Sequence, residues 1–378
     1  MDENAIDYAS HLLPCNHQPY DMFTYAVRVF LMVPVVLFGV VSNIVNIIVF
    51  RHSHMRNIMV NWYLVVLAVS DLVVLLGSFV MLSLPAISAN SGLLPLIALA
   101  SYVQRWTYAV ALIGQTSSVG LTVLVSVHRY FGVCYPFLAQ RWESKSRVKT
   151  AIGTMLAFAL LFNAPRWFEV VTDTCWSDEF NTSSIRVVSS ALRQDDTYYQ
   201  VYMMYGYTTI MFGIPFTLLS LVSAFIIRTV HRSYSIRQQM SNSTSAIDQR
   251  RERQENKITF MFIAIVFMFL TFNSLAFINY ILETMVSADQ GMEDAFLKSV
   301  ELGNLLVALN SASNIFIYLS FSIKYRKVCF NYVHCMSAKV KSLQPEQTVL
   351  IKNLSVAQKI RLNGVQNSDN AEMINDAF

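Results

Sequence analysis

Long apolar stretches separated by short charged segments dominate the chain. One run, at 58–84, is interrupted by Asp71 alone. A helix needs about 20 residues to cross the roughly 30 Å hydrocarbon layer of a membrane. Six further runs contain no Asp, Glu, Lys or Arg, and they lie at 29–50, 106–128, 150–165, 197–227, 258–282 and 302–323. The pattern therefore predicts an all-α membrane protein, a bundle of seven transmembrane helices with a short amphipathic helix after the last span.

The positions of lysine and arginine predict how this bundle is oriented. Basic residues crowd the segments at 51–56, 141–149, 228–257 and 324–327, whereas the alternate segments are acidic. Loops rich in lysine and arginine stay on the cytoplasmic side. We therefore expect a multi-pass protein of the plasma membrane with its N-terminus outside the cell. The predicted parts are an extracellular segment at 1–25, the seven-helix domain at 26–323, a membrane-associated cytoplasmic helix at 324–336 and a largely disordered tail at 337–378.

Composition removes several classes of protein at once. Apolar residues make up 54% of the chain and charged residues only 14%, against about 45–50% and 25% in soluble domains. A soluble enzyme, a disordered chain and a nucleic-acid-binding protein are all disfavoured, and the lipid bilayer is an expected partner. The spans contain no zinc-binding motif, no pair of carboxylates and no nucleophile motif, so we expect neither catalysis nor an organic cofactor.

A polar cluster is predicted inside the membrane, centred on Asp71. An ionisable residue at bilayer depth is costly and marks a functional site by default. Helical spacing places other polar side chains where they can face it, namely Asn43, Ser118, Asn310, Asn314 and Tyr318. Such oxygen-rich surroundings suit a Na⁺ ion held by Asp71, or a water cluster, with a switching role. The alternative is a purely structural hydrogen-bond network between helices.

Several motifs occur in a characteristic order along these spans. They are Asn43, Asp71 at the end of Asn-Trp-Tyr-Leu-Val-Val-Leu-Ala-Val-Ser-Asp, His128-Arg129-Tyr130, Pro215, and the stretch from Asn310 to Tyr318. Together they resemble the rhodopsin-like G protein-coupled receptors over roughly residues 25–335. The segment from Asn163 to Glu169 is similar to invertebrate FMRFamide-type neuropeptide receptors. The resemblance implies an extracellular neuropeptide, a heterotrimeric G protein and arrestin as partners.

The chain also departs from that family at defined positions. Gln104 stands where the third span usually carries a cysteine, so the usual bridge to Cys175 cannot form. Cys15 and Cys175 are the cysteines expected outside the cell, and we predict that they pair with each other. His128 replaces the usual acid beside Arg129. Glu255, at the start of the sixth span, is the acid that we expect to hold Arg129 instead, and His128, Arg129, Tyr130 and Glu255 form the predicted G protein coupling site.

The type of ligand is narrowed by residues that are missing. The seventh span has no lysine for retinal, and Ala111 stands where amine receptors carry an aspartate. Together with the acidic outer face, these absences favour a peptide that carries positive charge, and the resemblance implies one that ends in Arg-Phe-amide. A non-peptide ligand, or a channel or transporter, is the alternative. A carboxylate suits the arginine of the peptide, and an aromatic slot suits its amidated phenylalanine. The predicted ligand-binding residues are Gln115, Glu169, Phe277, Tyr280, Glu301 and Asn304, with Asp173 and Glu283 as further candidate acids.

Three modification sites complete the predictions. Asn181 begins an Asn-Thr-Ser sequon in an expected extracellular loop and is a candidate for glycosylation. Cys329 and Cys335 follow the last span and are candidates for palmitoylation, with a structural thiol as the alternative reading.

Overall fold

The computed structural model describes residues 13–15, 20–142, 144–178, 180–239, 246–286 and 290–332. Seven of the described helices are long and apolar enough to cross a membrane, which confirms the predicted fold class. We number them helix 1 to helix 7. Their spanning portions are Met22–Arg51, Val60–Ser91, Leu94–Cys134, Lys145–Phe168, Asp196–Arg232, Lys257–Glu283 and Glu293–Phe321.

The helices are not uniform along their length. Helix 1 is α-helical at Met22–Tyr25 and Met32–Arg51, with a π-helical stretch at Ala26–Leu31 between them. Asp21 caps its start by accepting hydrogen bonds from the amides of Phe23 and Thr24. Hydrogen bonding from Thr24, first from its side chain and then from its amide, lowers the pKa of this carboxyl group. Helix 2 comprises Val60–Ser78, a π-helix at Phe79–Ser83 and Leu84–Ser91, and helix 3 is continuous over Leu94–Cys134. A short helix, Pro136–Trp142, separates it from helix 4, which comprises Lys145–Phe162 and a 3₁₀ turn at Ala164–Phe168.

Two β-strands follow helix 4, although the sequence pattern predicted helices alone. Strand β1 (Val170–Ser177) pairs antiparallel with β2 (Thr182–Ser189). Ala191–Gln194 and Asp196–Tyr198 then lead into helix 5, which is π-helical at Tyr199–Gly206 and Thr209–Gly213. We call the end of the bundle that carries these strands the hairpin end, and the opposite end the Arg129 end.

The last helices are long and continuous. Their bounds are Ile214–Gln239 for the α-helical part of helix 5, Ala246–Val286 for helix 6 and Gln290–Phe321 for helix 7. Helices 5 and 6 thus extend well into the polar segment that separates their spans, because its Arg, Gln and Glu residues favour helix formation. A further helix covers 323–332. The chain divides into two compact units, Met1–Tyr325 and Arg326–Phe378, and the second is described only up to residue 332.

Close packing of small residues brings helices 1, 2 and 7 together. A Cβ atom at Gly39 would lie 2.6 Å from the Leu75 side chain and 2.9 Å from that of Ala312. Such contacts between small residues let helix backbones approach in a membrane. The same three helices carry most of the predicted polar cluster, so this packing determines its geometry.

Candidate functional site

A buried carboxylate organises the hairpin end of the bundle. Glu169 follows the 3₁₀ turn after helix 4 and is completely buried. Its oxygens accept hydrogen bonds from the hydroxyls of Tyr108 at 2.7 Å and Tyr198 at 2.6 Å. Arg166 donates to it at 2.9 Å, and Arg193 donates to the Tyr108 hydroxyl at 3.3 Å. Hydrogen bonds to Glu169 thereby connect helices 3, 4 and 5 at the hairpin end.

An aromatic cluster lies directly against this polar one. Tyr207 is buried beside Phe212 and Tyr280, and its hydroxyl donates to Gln115 at 3.3 Å. Phe212 stacks on Phe277, with ring centres 5.6 Å apart. The Arg166 guanidinium lies 4.8 Å from the Tyr207 ring centre and joins the two clusters. The predicted ligand residues Gln115, Glu169, Phe277 and Tyr280 are therefore brought into one connected site.

Two other predicted ligand residues lie on helix 7. Glu301 is nine-tenths buried and accepts from Nε of Arg28 at 2.9 Å and from its NH2 group at 2.5 Å. Asn304 is half-buried one turn further along the helix. The ion pair of Arg28 and Glu301 joins helix 1 to helix 7.

A direct contact with a ligand stays a prediction for Glu169 and Glu301. Each is already paired with an arginine of the chain, because a buried carboxylate needs a compensating charge. Among the other candidate acids, Asp173 pairs with Arg186 at 3.4 Å. Glu283 accepts a hydrogen bond from the neutral hydroxyl of Tyr199 at 2.7 Å.

The sequence reasoning missed Arg166, Tyr108, Tyr198 and Tyr207. A signal for Arg166 was available, since it precedes Glu169 by three residues at the end of a span, and that spacing brings opposite charges together. The tyrosines carried no such signal, because their partners lie on other helices.

The predicted polar cluster is assembled around Asp71, which is completely buried. Its two oxygens accept from the Ser118 hydroxyl at 2.7 Å and the Asn314 amide at 2.9 Å. Asn43 donates to the Ser311 carbonyl at 2.9 Å, which links helices 1 and 7. Helices 1, 2, 3 and 7 therefore converge here.

Tyr318 and Asn310 lie at the edge of this cluster. Tyr318 is buried against the rings of Phe50 and Tyr325, and the Tyr325 hydroxyl donates to Asn46 at 2.6 Å. Asn310 is half-buried, and its carbonyl accepts from the Ser313 hydroxyl.

The donor set around Asp71 fits a small hard cation. The Asp71 carboxylate and the Ser118 hydroxyl are oxygen ligands, the type that hard cations prefer. Among the described residues, no group of three or more His, Cys, Asp or Glu side chains could hold a metal ion. A Na⁺ site would therefore rest on one carboxylate and neutral oxygens, and it remains a prediction.

At the Arg129 end, two of the predicted coupling residues, His128 and Arg129, line a cavity. It has a volume of about 530 Å³ and is lined by His128, Arg129, Tyr63, Leu138 and Arg147 among others. The Arg129 guanidinium lies 4.3 Å from the ring centre of Phe262 on helix 6.

The two neighbours of Arg129 contact aromatic rings of other elements. The His128 ring lies 5.6 Å from that of Tyr63, and Tyr130 packs against Phe225 and Tyr135. Glu255 lies within helix 6, but its side chain is outside the described portion, so its contact with Arg129 stays a prediction.

A disulfide joins Cys15 to Cys175 on β1, with Cα atoms 5.1 Å apart. Backbone hydrogen bonds accompany it, from Cys15 to Trp176 at 2.8 Å and from Trp176 to Leu13 at 3.0 Å. The segment before helix 1 thus adds to the edge of β1. No residue of helix 3 takes part in the bridge.

Removing this disulfide is expected to loosen the hairpin end. A bridge that closes a long loop stabilises by about 2–4 kcal/mol, so we expect Cys15→Ser and Cys175→Ser to lower the thermal unfolding midpoint equally. The double variant should be no worse than either single one. The measurement is thermal unfolding of the purified protein, with Cys134→Ser, a free cysteine near the other end, as control. Additive losses from the two single changes would contradict the pairing.

The modification sites differ in how far the structure describes them. Asn181 is exposed between β1 and β2 and has a positive φ of 50°, a conformation that asparagine tolerates. Cys329 lies in the helix over 323–332, where burial raises the pKa of its thiol. Cys335 lies outside the described residues.

These features define a bundle of seven helices long and apolar enough to cross a membrane, with a polar core and an arginine at one end. The profile of the seven-transmembrane receptors of the rhodopsin family matches residues 42–318. The chain therefore belongs to the rhodopsin family of G protein-coupled receptors. Members of this family are receptors rather than enzymes.

Proteins similar to this chain include receptors for peptides. The FMRFamide receptor of Drosophila melanogaster is 28% identical over 77% of this chain, and the match covers 50% of that receptor. The FMRFamide peptide receptor frpr-18 of Caenorhabditis elegans is 27% identical over 78% of the chain and 66% of its own length. The probable G-protein coupled receptor frpr-1 of the same organism is 28% identical over 83% and 80%. The chain thus spans about half to two thirds of the first two relatives.

Proposed function

We propose that this chain is a plasma-membrane receptor for an amidated neuropeptide that carries a basic residue, and that it activates a heterotrimeric G protein. In this proposal the hairpin end and the N-terminus are extracellular, and the Arg129 end faces the cytoplasm and also meets arrestin. The observation that carries it is the joined polar and aromatic cluster at the hairpin end, in a chain similar to FMRFamide receptors.

The hairpin end offers groups that suit the arginine and the terminal phenylalanine of such a ligand. Phe212, Phe277 and Tyr280 offer ring faces for a terminal phenylalanine, and aromatic pairs add about 0.5–1.5 kcal/mol beyond the area that they bury. Glu283 supports the recognition of arginine, since its described hydrogen bond comes from the neutral Tyr199. A peptide guanidinium would give this carboxylate the positively charged partner that Tyr199 does not provide.

Transmission to the other end is proposed to run through the Asp71 cluster. A ligand shifts a two-state bundle only by the difference between its affinities for the two states. The buried hydrogen bonds from Asp71 to helices 3 and 7 are contacts that such a shift would rearrange. Bound Na⁺ or water at Asp71 would stabilise one of the two arrangements.

The modifications belong to the same topology. We propose that Asn181 is glycosylated on the extracellular side and that Cys329 and Cys335 are palmitoylated at the inner leaflet. The limits of the extracellular segment, the seven-helix domain and the cytoplasmic tail given above stay predictions.

The test is G protein activation in membranes from cells that express the full chain. The probes are the peptide Phe-Met-Arg-Phe-amide, its free acid, and an analogue with norleucine in place of arginine. We expect the amidated arginine peptide to act at the lowest concentration, and Glu283→Gln to remove its advantage over the norleucine analogue. Glu293→Gln, the same change at an exposed acid at the start of helix 7, serves as control.

A receptor that ignores every peptide would contradict the proposal and favour a non-peptide ligand. Ion currents that follow expression without any G protein turnover would instead favour a channel or transporter.

Ligand-free activity provides a separate prediction about the Arg129 end. His128 cannot hold Arg129 as an acid would, so we expect measurable basal turnover that His128→Asp or His128→Glu lowers and Glu255→Ala raises. An exposed or half-exposed ion pair is worth about 0.2–1 kcal/mol, so the changes should be about 1.4- to 5-fold. Basal nucleotide exchange on the G protein measures them, with the exposed His231→Asp as control. Equal rates in wild type and all variants would contradict the argument.

A further inference from the structure

Two buried polar atoms near the aromatic cluster have no partner among the described residues. They are Oδ1 of Asn163 and Nε of Arg166. Asn163 is completely buried and Arg166 is 4% exposed. Buried polar groups are nearly always hydrogen-bonded, so each exception calls for an explanation.

The orientation of the Asn163 amide is determined by its neighbours. Its Nδ2 group donates to the Ala159 carbonyl at 2.8 Å and to the Thr116 hydroxyl oxygen at 2.9 Å. The Thr116 hydroxyl itself donates to the Leu112 carbonyl, so both neighbours act as acceptors. The Asn163 side chain must therefore point its Nδ2 group toward these two acceptors. Its Oδ1 atom is left as an acceptor without a donor among the described residues.

Arg166 is held in place from several sides, but not at Nε. Its NH1 group donates to Glu169 and to Tyr108. The rings of Tyr202 and Tyr207 lie 5.0 and 4.8 Å from its guanidinium carbon. Nε therefore carries an N–H donor on a side chain whose position is already fixed. By contrast, Arg28 uses both Nε and NH2 on Glu301.

The open donor and the open acceptor belong to one short segment. Asn163 immediately precedes the 3₁₀ turn and Arg166 lies on it, and the Arg166 amide donates to the Asn163 carbonyl. Both are next to the aromatic cluster. Arg166 lies against Tyr207, and Thr116, which accepts from Asn163, follows Gln115, the partner of Tyr207. A primary carboxamide has the complementary groups, one carbonyl acceptor and an NH₂ donor.

We propose that Asn163 and Arg166 form the subsite that reads the C-terminal carboxamide of the peptide. Nε of Arg166 donates to the carboxamide oxygen, and Oδ1 of Asn163 accepts from its NH₂ group. The phenylalanine ring of the same residue enters the adjacent aromatic cluster. The inference rests on the proposed function, since it assigns part of the same ligand.

This arrangement also accounts for selectivity. A free carboxylate would place a negatively charged oxygen against Oδ1 of Asn163, which is repulsive, and it has no N–H to donate. A site built to hydrogen-bond a substrate N–H discriminates strongly against an analogue that lacks it, because a buried group is then left without a partner.

Two probes with uncharged C-termini separate the roles of the two residues. They are Phe-Met-Arg-Phe-amide and its methyl ester, which keeps the carbonyl oxygen but has no N–H. The measurement is the concentration for half-maximal G protein activation in membranes with the full chain, corrected for receptor at the cell surface. In wild type we expect the amide to be about tenfold more potent than the ester, the effect of one buried hydrogen bond.

The two variants are expected to change the potencies of the amide and the ester in different ways. Asn163→Leu should bring the amide and the ester to equal potency by weakening the amide alone. Arg166→Lys keeps the positive charge beside Glu169 but lacks Nε–H, so both probes should weaken together by about tenfold with their ratio kept. The matched controls are Arg186→Lys and Asn279→Leu, which alter other side chains with an open buried nitrogen and should keep the wild-type ratio.

Each outcome decides the question. An unchanged amide-to-ester ratio in Asn163→Leu would overturn the subsite and leave water as the partner of these atoms, with the peptide receptor intact. Equal potency of the amide and the ester on wild type would also overturn the subsite. Silence of wild type toward both probes would overturn the proposed function and the subsite together. If Arg166→Lys fails to reach the surface, the ratio in Asn163→Leu still decides.

Discussion

Asp71→Asn is expected to remove most of the G protein response while peptide affinity stays within about threefold of wild type. The carboxylate accepts hydrogen bonds from Ser118 of helix 3 and Asn314 of helix 7 rather than from the predicted ligand residues. Bonds to a charged group are worth about 1.5–3 kcal/mol each. Weakening two of them is enough to shift a conformational equilibrium by more than about tenfold.

The experiment compares peptide binding with nucleotide exchange in the same membranes, with and without NaCl, using choline chloride to match ionic strength. Wild type should show an affinity for peptide that depends on Na⁺, and Asp71→Asn should lose that dependence. Ser78→Ala is the control, because this helix 2 hydroxyl bonds only the Val74 carbonyl of its own helix among the hydrogen bonds that the structure describes. If both sodium sensitivity and signalling survive in Asp71→Asn, the cluster has a structural role alone.

The parts of the fold that could be predicted are those governed by the membrane. Long apolar runs have to form helices in lipid, because every backbone group must be hydrogen-bonded within its own segment. The seven spans and the helix after them follow from that requirement. The inward position of Asp71 follows from the cost of a charge in lipid.

The parts that could not be predicted depend on partners distant in sequence. The sequence predicts a loop from Val170 to Ser189, yet each residue of Val170–Ser177 pairs with one of Thr182–Ser189 across a hairpin. Helices 5 and 6 continue beyond their spans, because the end of an apolar run does not end a helix in water. The environment of Glu301 was also missed, since Arg28 lies 273 residues away.

A second large effect is expected from the pair of Arg28 and Glu301. Both side chains are mostly buried, with exposures of 16% and 10%, and Arg28 also lies 4.7 Å from the ring centre of Tyr20. Removing one partner of a buried ion pair costs about 3–5 kcal/mol, because the other charge stays buried without compensation. We therefore expect Glu301→Gln to lower the thermal unfolding midpoint of the purified receptor more than the loss of a surface pair would.

The size of the effect can be assigned to the uncompensated charge by removing the second partner as well. The double variant Arg28→Met with Glu301→Leu should recover most of the stability, since well-packed apolar residues often replace a buried pair without loss. Asp173→Asn is the control, because its pair with Arg186 is partly exposed and such pairs contribute at most about 1 kcal/mol. If Glu301→Gln costs no more stability than Asp173→Asn, or if the double variant is the least stable of all, the charge argument fails.

The peptide assay on the same variants then shows whether Glu301 acts on the ligand directly. Only a direct contact would lower the potency of the arginine peptide and leave that of the norleucine analogue unchanged.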